Sequence, residues 1–106
     1  MLHTVTSDRS VLSHRSREAL AKVASLAAIL RLEASARQIC DFLGTSRGLV
    51  NAIRALHVIE HTASSAAEDA ERACEAEEAE RWDALANACS EASCSVLADY
   101  ERAVLA

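Results

Sequence analysis

Apolar side chains recur at three- and four-residue intervals along most of the chain, the period of a helix with one buried face. Leu20, Val23, Ala24, Ala27, Leu30 and Ala34 form a first stripe, widened by Leu26. This stripe predicts a helix from about Ser13 or Ser16 to Leu32. Leu49, Val50, Ile53, Leu56 and Ile59 form a second stripe, and Trp82, Leu85, Cys89, Ala92, Val96, Tyr100 and Ala103 a third. No segment shows the strict alternation of a half-buried strand, so the expected fold is all-α.

Capping residues set the expected boundaries. Ser35 followed by Gln38 is a capping-box arrangement that opens a helix, and Gly44 can adopt the left-handed conformation that closes one. Thr45 and Ser46 offer hydroxyls to cap a further helix starting near Arg47, whose polar face carries Arg47, Asn51 and Arg54. Ser65 with Glu68 repeats the capping-box pattern. Beyond Ser65 there is neither glycine nor proline. That stretch predicts either one helix about 63 Å long, at about 1.5 Å per residue, or a hairpin bent near Trp82–Asp83.

Residues 35–56, Ser-Ala-Arg-Gln-Ile-Cys-Asp-Phe-Leu-Gly-Thr-Ser-Arg-Gly-Leu-Val-Asn-Ala-Ile-Arg-Ala-Leu, resemble the helix-turn-helix of DNA-binding proteins. Cys40 is the small residue four positions before the turn glycine, and Ile39, Leu43, Val50 and Ile53 occupy the apolar positions. The resemblance implies a tri-helical helix-turn-helix unit over residues 13–61, with its last helix in the major groove of double-stranded DNA. Ser46, Arg47, Asn51 and Arg54 would then face DNA, arginine suiting guanine edges or phosphates and asparagine adenine. Two departures stand out. Thr45 replaces a usually apolar residue, and Gly48 weakens the start of the recognition helix by roughly 1 kcal/mol relative to alanine.

Composition strengthens the helical reading. Half of the 106 residues are apolar, but aromatics make up only 3%, and two glycines and no proline leave little to interrupt a helix. One compact domain is expected, made of a flexible lead over 1–12, the unit over 13–61 and an acidic helical segment over 62–106. Self-association through that last segment would make a dimer able to read two half-sites. No apolar run of about 18 residues predicts a membrane span, and no charged-then-apolar leader opens the chain. The expectation is cytoplasmic, with its four cysteines reduced and Cys40 and Cys89 serving as small core residues.

Charge divides the chain in two. Residues 1–57 hold eight basic against four acidic residues (+4), and residues 58–106 hold three against twelve (−9), summing to the net −5. The basic half contains the helix-turn-helix resemblance, where phosphate attraction would be needed. The leading expectation is therefore a sequence-specific transcriptional regulator. The acidic run from Glu68 to Glu80 raises an alternative from another class. In it the protein is an adaptor or inhibitor that presents Glu75, Glu77, Glu78 and Trp82 to a basic protein partner, with carboxylates standing where phosphates would lie.

Catalytic signals are weak. His57-Val58-Ile59-Glu60-His61 spells the H-x-x-E-H of inverzincin metallopeptidases, but too little chain follows for a further acidic ligand and a cleft. A non-catalytic site from His57, His61 and Cys74 is the remaining metal option, and two polar residues near a helix end the plainer one. Cys74, Cys89 and Cys94 form no C-x-x-C pair. No phosphate-cradling glycine loop or nucleophile elbow is present. The sequence predicts no enzyme, no cofactor and no bound metal.

Overall fold

The computed structural model describes residues 12–30 and 46–105, which form three helices and no strand. They are α1 (His14–Ile29), α2 (Ser46–Arg72) and α3 (Ala76–Leu105). The fold is all-α. The expected helix over residues 35–44, with its turn at Gly44, lies outside the described residues, as do Cys40 and residues 1–11.

α1 begins where its sequence offers a cap. Ser13 is extended (φ −68°, ψ 161°), and its Oγ accepts from the Ser16 amide at 3.1 Å, satisfying one of the amides that a helix start leaves unpaired. The buried stripe of Leu20, Val23 and Ala27 follows, with Leu26 and Leu30 half-buried beside it. The helix closes at Ile29, three residues short of the expected end.

α2 is longer than its apolar pattern suggested. Leu49, Ala52, Leu56, Ile59, Ala63, Ala67 and Ala70 are all buried at intervals of three and four, so one stripe persists through all 27 residues. The start expected at Ser65 is therefore corrected: Thr62, Ser64 and Ser65 lie exposed inside a continuous helix. A capping serine acts only where the chain enters from a non-helical conformation, and the alanines around Ser65 keep the helix intact. The boundary expected after residue 61 thus falls within an element.

The chain reverses at residues 73–75, not at Trp82–Asp83, both of which lie inside α3. Glu75 N–H donates to the Ala70 carbonyl at 2.8 Å and Cys74 N–H to the Glu71 carbonyl at 3.0 Å. Cys74 has φ 60°. This is a Schellman ending with cysteine in the left-handed position that glycine usually fills.

Helices of about 40 and 45 Å, at about 1.5 Å per residue, then lie antiparallel and set the 53 Å long dimension. Leu85, Ala88, Cys89, Ala92 and Val96 of α3 share one core with Leu49, Leu56, Ile59 and Ala63 of α2 and Leu20, Val23 and Ala27 of α1. α1 also runs antiparallel to α3: Ser13 bonds to Asp99 near its end, while Leu26 and Leu30 lie beside Glu77 and Ala84 near its start. α3 is thus the shared wall of the bundle.

Candidate functional site

Two surfaces carry the residues singled out by the sequence. On the N-terminal half of α2, the core side is taken by Gly48, Leu49, Ala52 and Leu56, which leaves Arg54 exposed and Asn51 half-buried one turn before it. Ser46 and Arg47 form the first two positions of the same helix. Val50 and Ile53, expected within the buried stripe, are only half-buried, because the stripe runs through Leu49, Ala52, Leu56 and Ile59. Exposed His57, Val58 and His61 extend this flank.

The second surface is the hairpin tip. The reversal brings the end of α2 against the start of α3, so Glu68, Asp69 and Glu71 join Glu75, Glu77, Glu78, Glu80 and Asp83. Against these eight acids stand Arg72 and Arg81, giving −6 over residues 68–83. Arg72 pairs with Asp69 at 2.7 Å and Arg81 with Glu78 at 3.8 Å. Glu75 and Glu77 are exposed and Glu78 is half-buried. Trp82 differs from these three, because it packs partly against the core. Arg54 lies roughly 27 Å from Arg72 along α2, at about 1.5 Å per residue.

The tip charges are poorly placed for stability. Glu68, Asp69 and Glu71 sit at the C-terminal end of α2, where the helix dipole is already negative. Glu68–Glu71, Glu77–Glu80 and Glu80–Asp83 are like-charge pairs three apart on a helix surface. At the start of α3, by contrast, Glu77 and Glu78 complement the dipole.

His57 and His61 share an exposed flank, but Glu60 turns toward the core and its charge reaches Cys89. Cys74 lies beyond the end of α2, more than about 16 Å along the helix from His61, and so does not join the two histidines. Among the described residues no three His, Cys, Asp or Glu side chains converge in a manner that could hold a metal ion. Cys89 is fully buried, and burial, aided by Glu60, pushes its thiol up to about 11. Cys74 and Cys94 are exposed.

A third constellation escaped the sequence reading. Asp99 is buried at 1% exposure, and its Oδ2 accepts from Ser13 N–H at 2.9 Å and from Ser13 Oγ at 3.1 Å. Arg102 pairs with its other oxygen. Ser16 Oγ and Ser95 Oγ share a hydrogen bond at 2.7 Å alongside. Burial alone would raise the Asp99 pKa, but the hydrogen bonds from Ser16 and Ser13 and the Arg102 charge outweigh it and hold the carboxyl below its ordinary value. The signal was present in the sequence: Asp99 falls three residues after Val96 and four before Ala103, on the face that the apolar stripe marks as buried. An open cleft of about 870 Å³ runs beside this clasp, with Arg15, Lys22, Glu91 and Cys94 among its walls.

No helix among the described residues is long and apolar enough to cross a membrane. Comparison of the chain with family models, with curated proteins and with solved structures finds no match in any of the three.

Proposed function

We propose that the protein is a helical interaction module that docks a basic protein surface on the acidic tip of its hairpin. The observation that carries this reading is the −6 charge over residues 68–83, gathered at one end of an elongated molecule. Glu68, Asp69 and Glu71 oppose the α2 dipole and three like-charge pairs repel across the tip, costs offset only by Glu77 and Glu78 at the start of α3 and by the pairs that Arg72 and Arg81 make. A cationic partner relieves the repulsion, and charge complementarity of this kind speeds and orients association.

The test is anisotropy of the labelled protein against a lysine-rich peptide and against duplex DNA, over a salt series. Peptide binding that weakens with salt and with the triple change Glu75→Gln, Glu77→Gln and Glu78→Gln supports the reading. Absence of peptide binding at low salt sinks it.

A specific feature favours DNA binding as the second reading. Arg54 faces solvent one turn after Asn51 in the N-terminal half of α2, two of the four positions that the helix-turn-helix resemblance turns toward DNA. Under this reading the protein is a small transcriptional regulator, probed by duplex binding that Arg54→Glu abolishes. Self-association through α3 is compatible with either, and exposed Leu97, Val104 and Leu105 near its end are the apolar side chains available for it.

A further inference from the structure

We propose that a groove beside the acidic tip receives an apolar side chain from a basic helical segment of the partner; the inference rests on the docking reading above and narrows it. Where the last turn of α1 passes the start of α3, a groove of about 460 Å³ opens between them. Leu26, Leu30 and Ala84 supply its apolar wall, and Glu77, Glu80 and Arg81 complete its lining. Both leucines are half-buried, while Ala84, Glu77 and Glu80 are exposed.

The chemistry of this lining selects its occupant. The apolar wall offers a large aliphatic side chain removal from water at roughly 25 cal/mol per Å² buried, yet it is too small to hold an extended apolar face. Glu77 and Glu80 outnumber Arg81 in the lining and leave the groove negative, and the rest of the tip adds to that charge. A complementary segment therefore carries one leucine-like anchor with arginine or lysine three or four residues to either side. That spacing places anchor and cations on one helical face, the arrangement by which an amphipathic helix lies in a groove between two others. Purely basic or purely apolar segments match only part of the lining.

The experiment uses the full chain and a synthetic alanine-based helical peptide bearing one leucine flanked by arginines at three- and four-residue spacing. Peptides with that leucine replaced by serine, or the arginines by glutamate, are the controls. The leucine peptide should bind at least tenfold more tightly than the serine peptide, with NMR shifts at Leu26, Leu30 and Ala84. Ala84→Arg, which fills the groove and adds a positive charge at an exposed position, should weaken binding at least tenfold, and Ala84→Ser should leave it within threefold.

Equal affinity for leucine and serine peptides, unchanged by Ala84→Arg, overturns the groove while acidic docking stands. No peptide binding at low salt overturns both. Concentration-dependent shifts at Leu26 and Ala84 in the protein alone overturn the inference in favour of a second copy. Nuclear Overhauser contacts from the Ala84 methyl to residues 31–45 overturn it by showing the groove filled by the chain itself.

Discussion

Ser13 and Asp99, 86 positions apart in sequence, are joined by two hydrogen bonds to a single carboxylate oxygen. One of the donors is the Ser13 backbone amide, so the carboxylate holds the residue that caps α1 against the end of α3. Asp99→Ala leaves these half-buried donors without their acceptor and should cost about 1.5–3 kcal/mol, the range for hydrogen bonds to a charged group. Asp99→Asn keeps an acceptor oxygen and should cost about half as much. Urea titrations followed by the fluorescence of Trp82, the sole tryptophan, give both values. A loss below about 0.5 kcal/mol in Asp99→Ala would show that the clasp contributes nothing beyond a surface contact.

The same carboxylate sets an acid limit. Its pKa lies below the ordinary 3.8 in the folded chain, so the unfolded chain takes up a proton first as pH falls. The stabilisation is fully present above about pH 5 and is lost as pH drops through 3.8 toward the folded-state value. Thermal melts of wild type and Asp99→Asn should differ at pH 7 and converge toward pH 2. Parallel profiles across that range would contradict a carboxylate held ionised by Ser13, Ser16 and Arg102.

Much of this architecture was legible because helical period is a local signal. The stripe of Leu20, Val23 and Ala27 located α1, and that of Leu85, Cys89, Ala92 and Val96 located the buried face of α3. The hairpin turn was not legible, because alanines on either side favour helix in both a straight and a reversed chain. Leu56 and Ile59 need Leu85 and Cys89 to leave water, and that long-range burial selects the reversal. Its position depends on Cys74 entering a conformation that the sequence marks with no glycine. The exposure of Arg54 followed from the α2 period, whereas Asp99 gained its partner only once α1 lay along α3.

Cys74 makes that reversal at a cost. A non-glycine residue in the left-handed region is disfavoured by about 1–2 kcal/mol, and a glycine there surrenders part of the gain through its looser unfolded state. Cys74→Gly should therefore raise stability by about 0.5–1 kcal/mol without moving α2 or α3. Cys74→Val should lower it by a similar amount, since β-branched side chains tolerate positive φ worst. Equal midpoints for all three chains would mean that the turn is not held at φ 60° in solution.

Thiol accessibility separates the cysteines. Cys74 and Cys94 are exposed, whereas Cys89 is buried with its pKa raised to about 11, so at pH 8 only about one Cys89 in a thousand is thiolate. Iodoacetamide labelling at pH 8, read by peptide mass mapping, should modify Cys74 and Cys94 within minutes. Cys89 should remain intact until urea unfolds the chain. Labelling of Cys89 at the rate of Cys94 would place α3 in a different packing from the one described.

The acidic tip predicts an unusual response to salt. Repulsion among Glu68, Glu71, Glu77 and Glu80 destabilises the isolated chain, and ions screen it within a Debye length of about 8 Å at physiological ionic strength. Raising sodium chloride from 20 to 500 mM should therefore increase the melting temperature, opposite to a fold stabilised mainly by surface ion pairs. Glu68→Gln with Glu71→Gln removes two carboxylates from the negative end of the α2 dipole and should add about 0.3–1 kcal/mol at low salt. The double variant should also lose much of the salt dependence. If the wild type gains nothing from salt, the tip charges are already compensated, and a basic partner has no repulsion to relieve there.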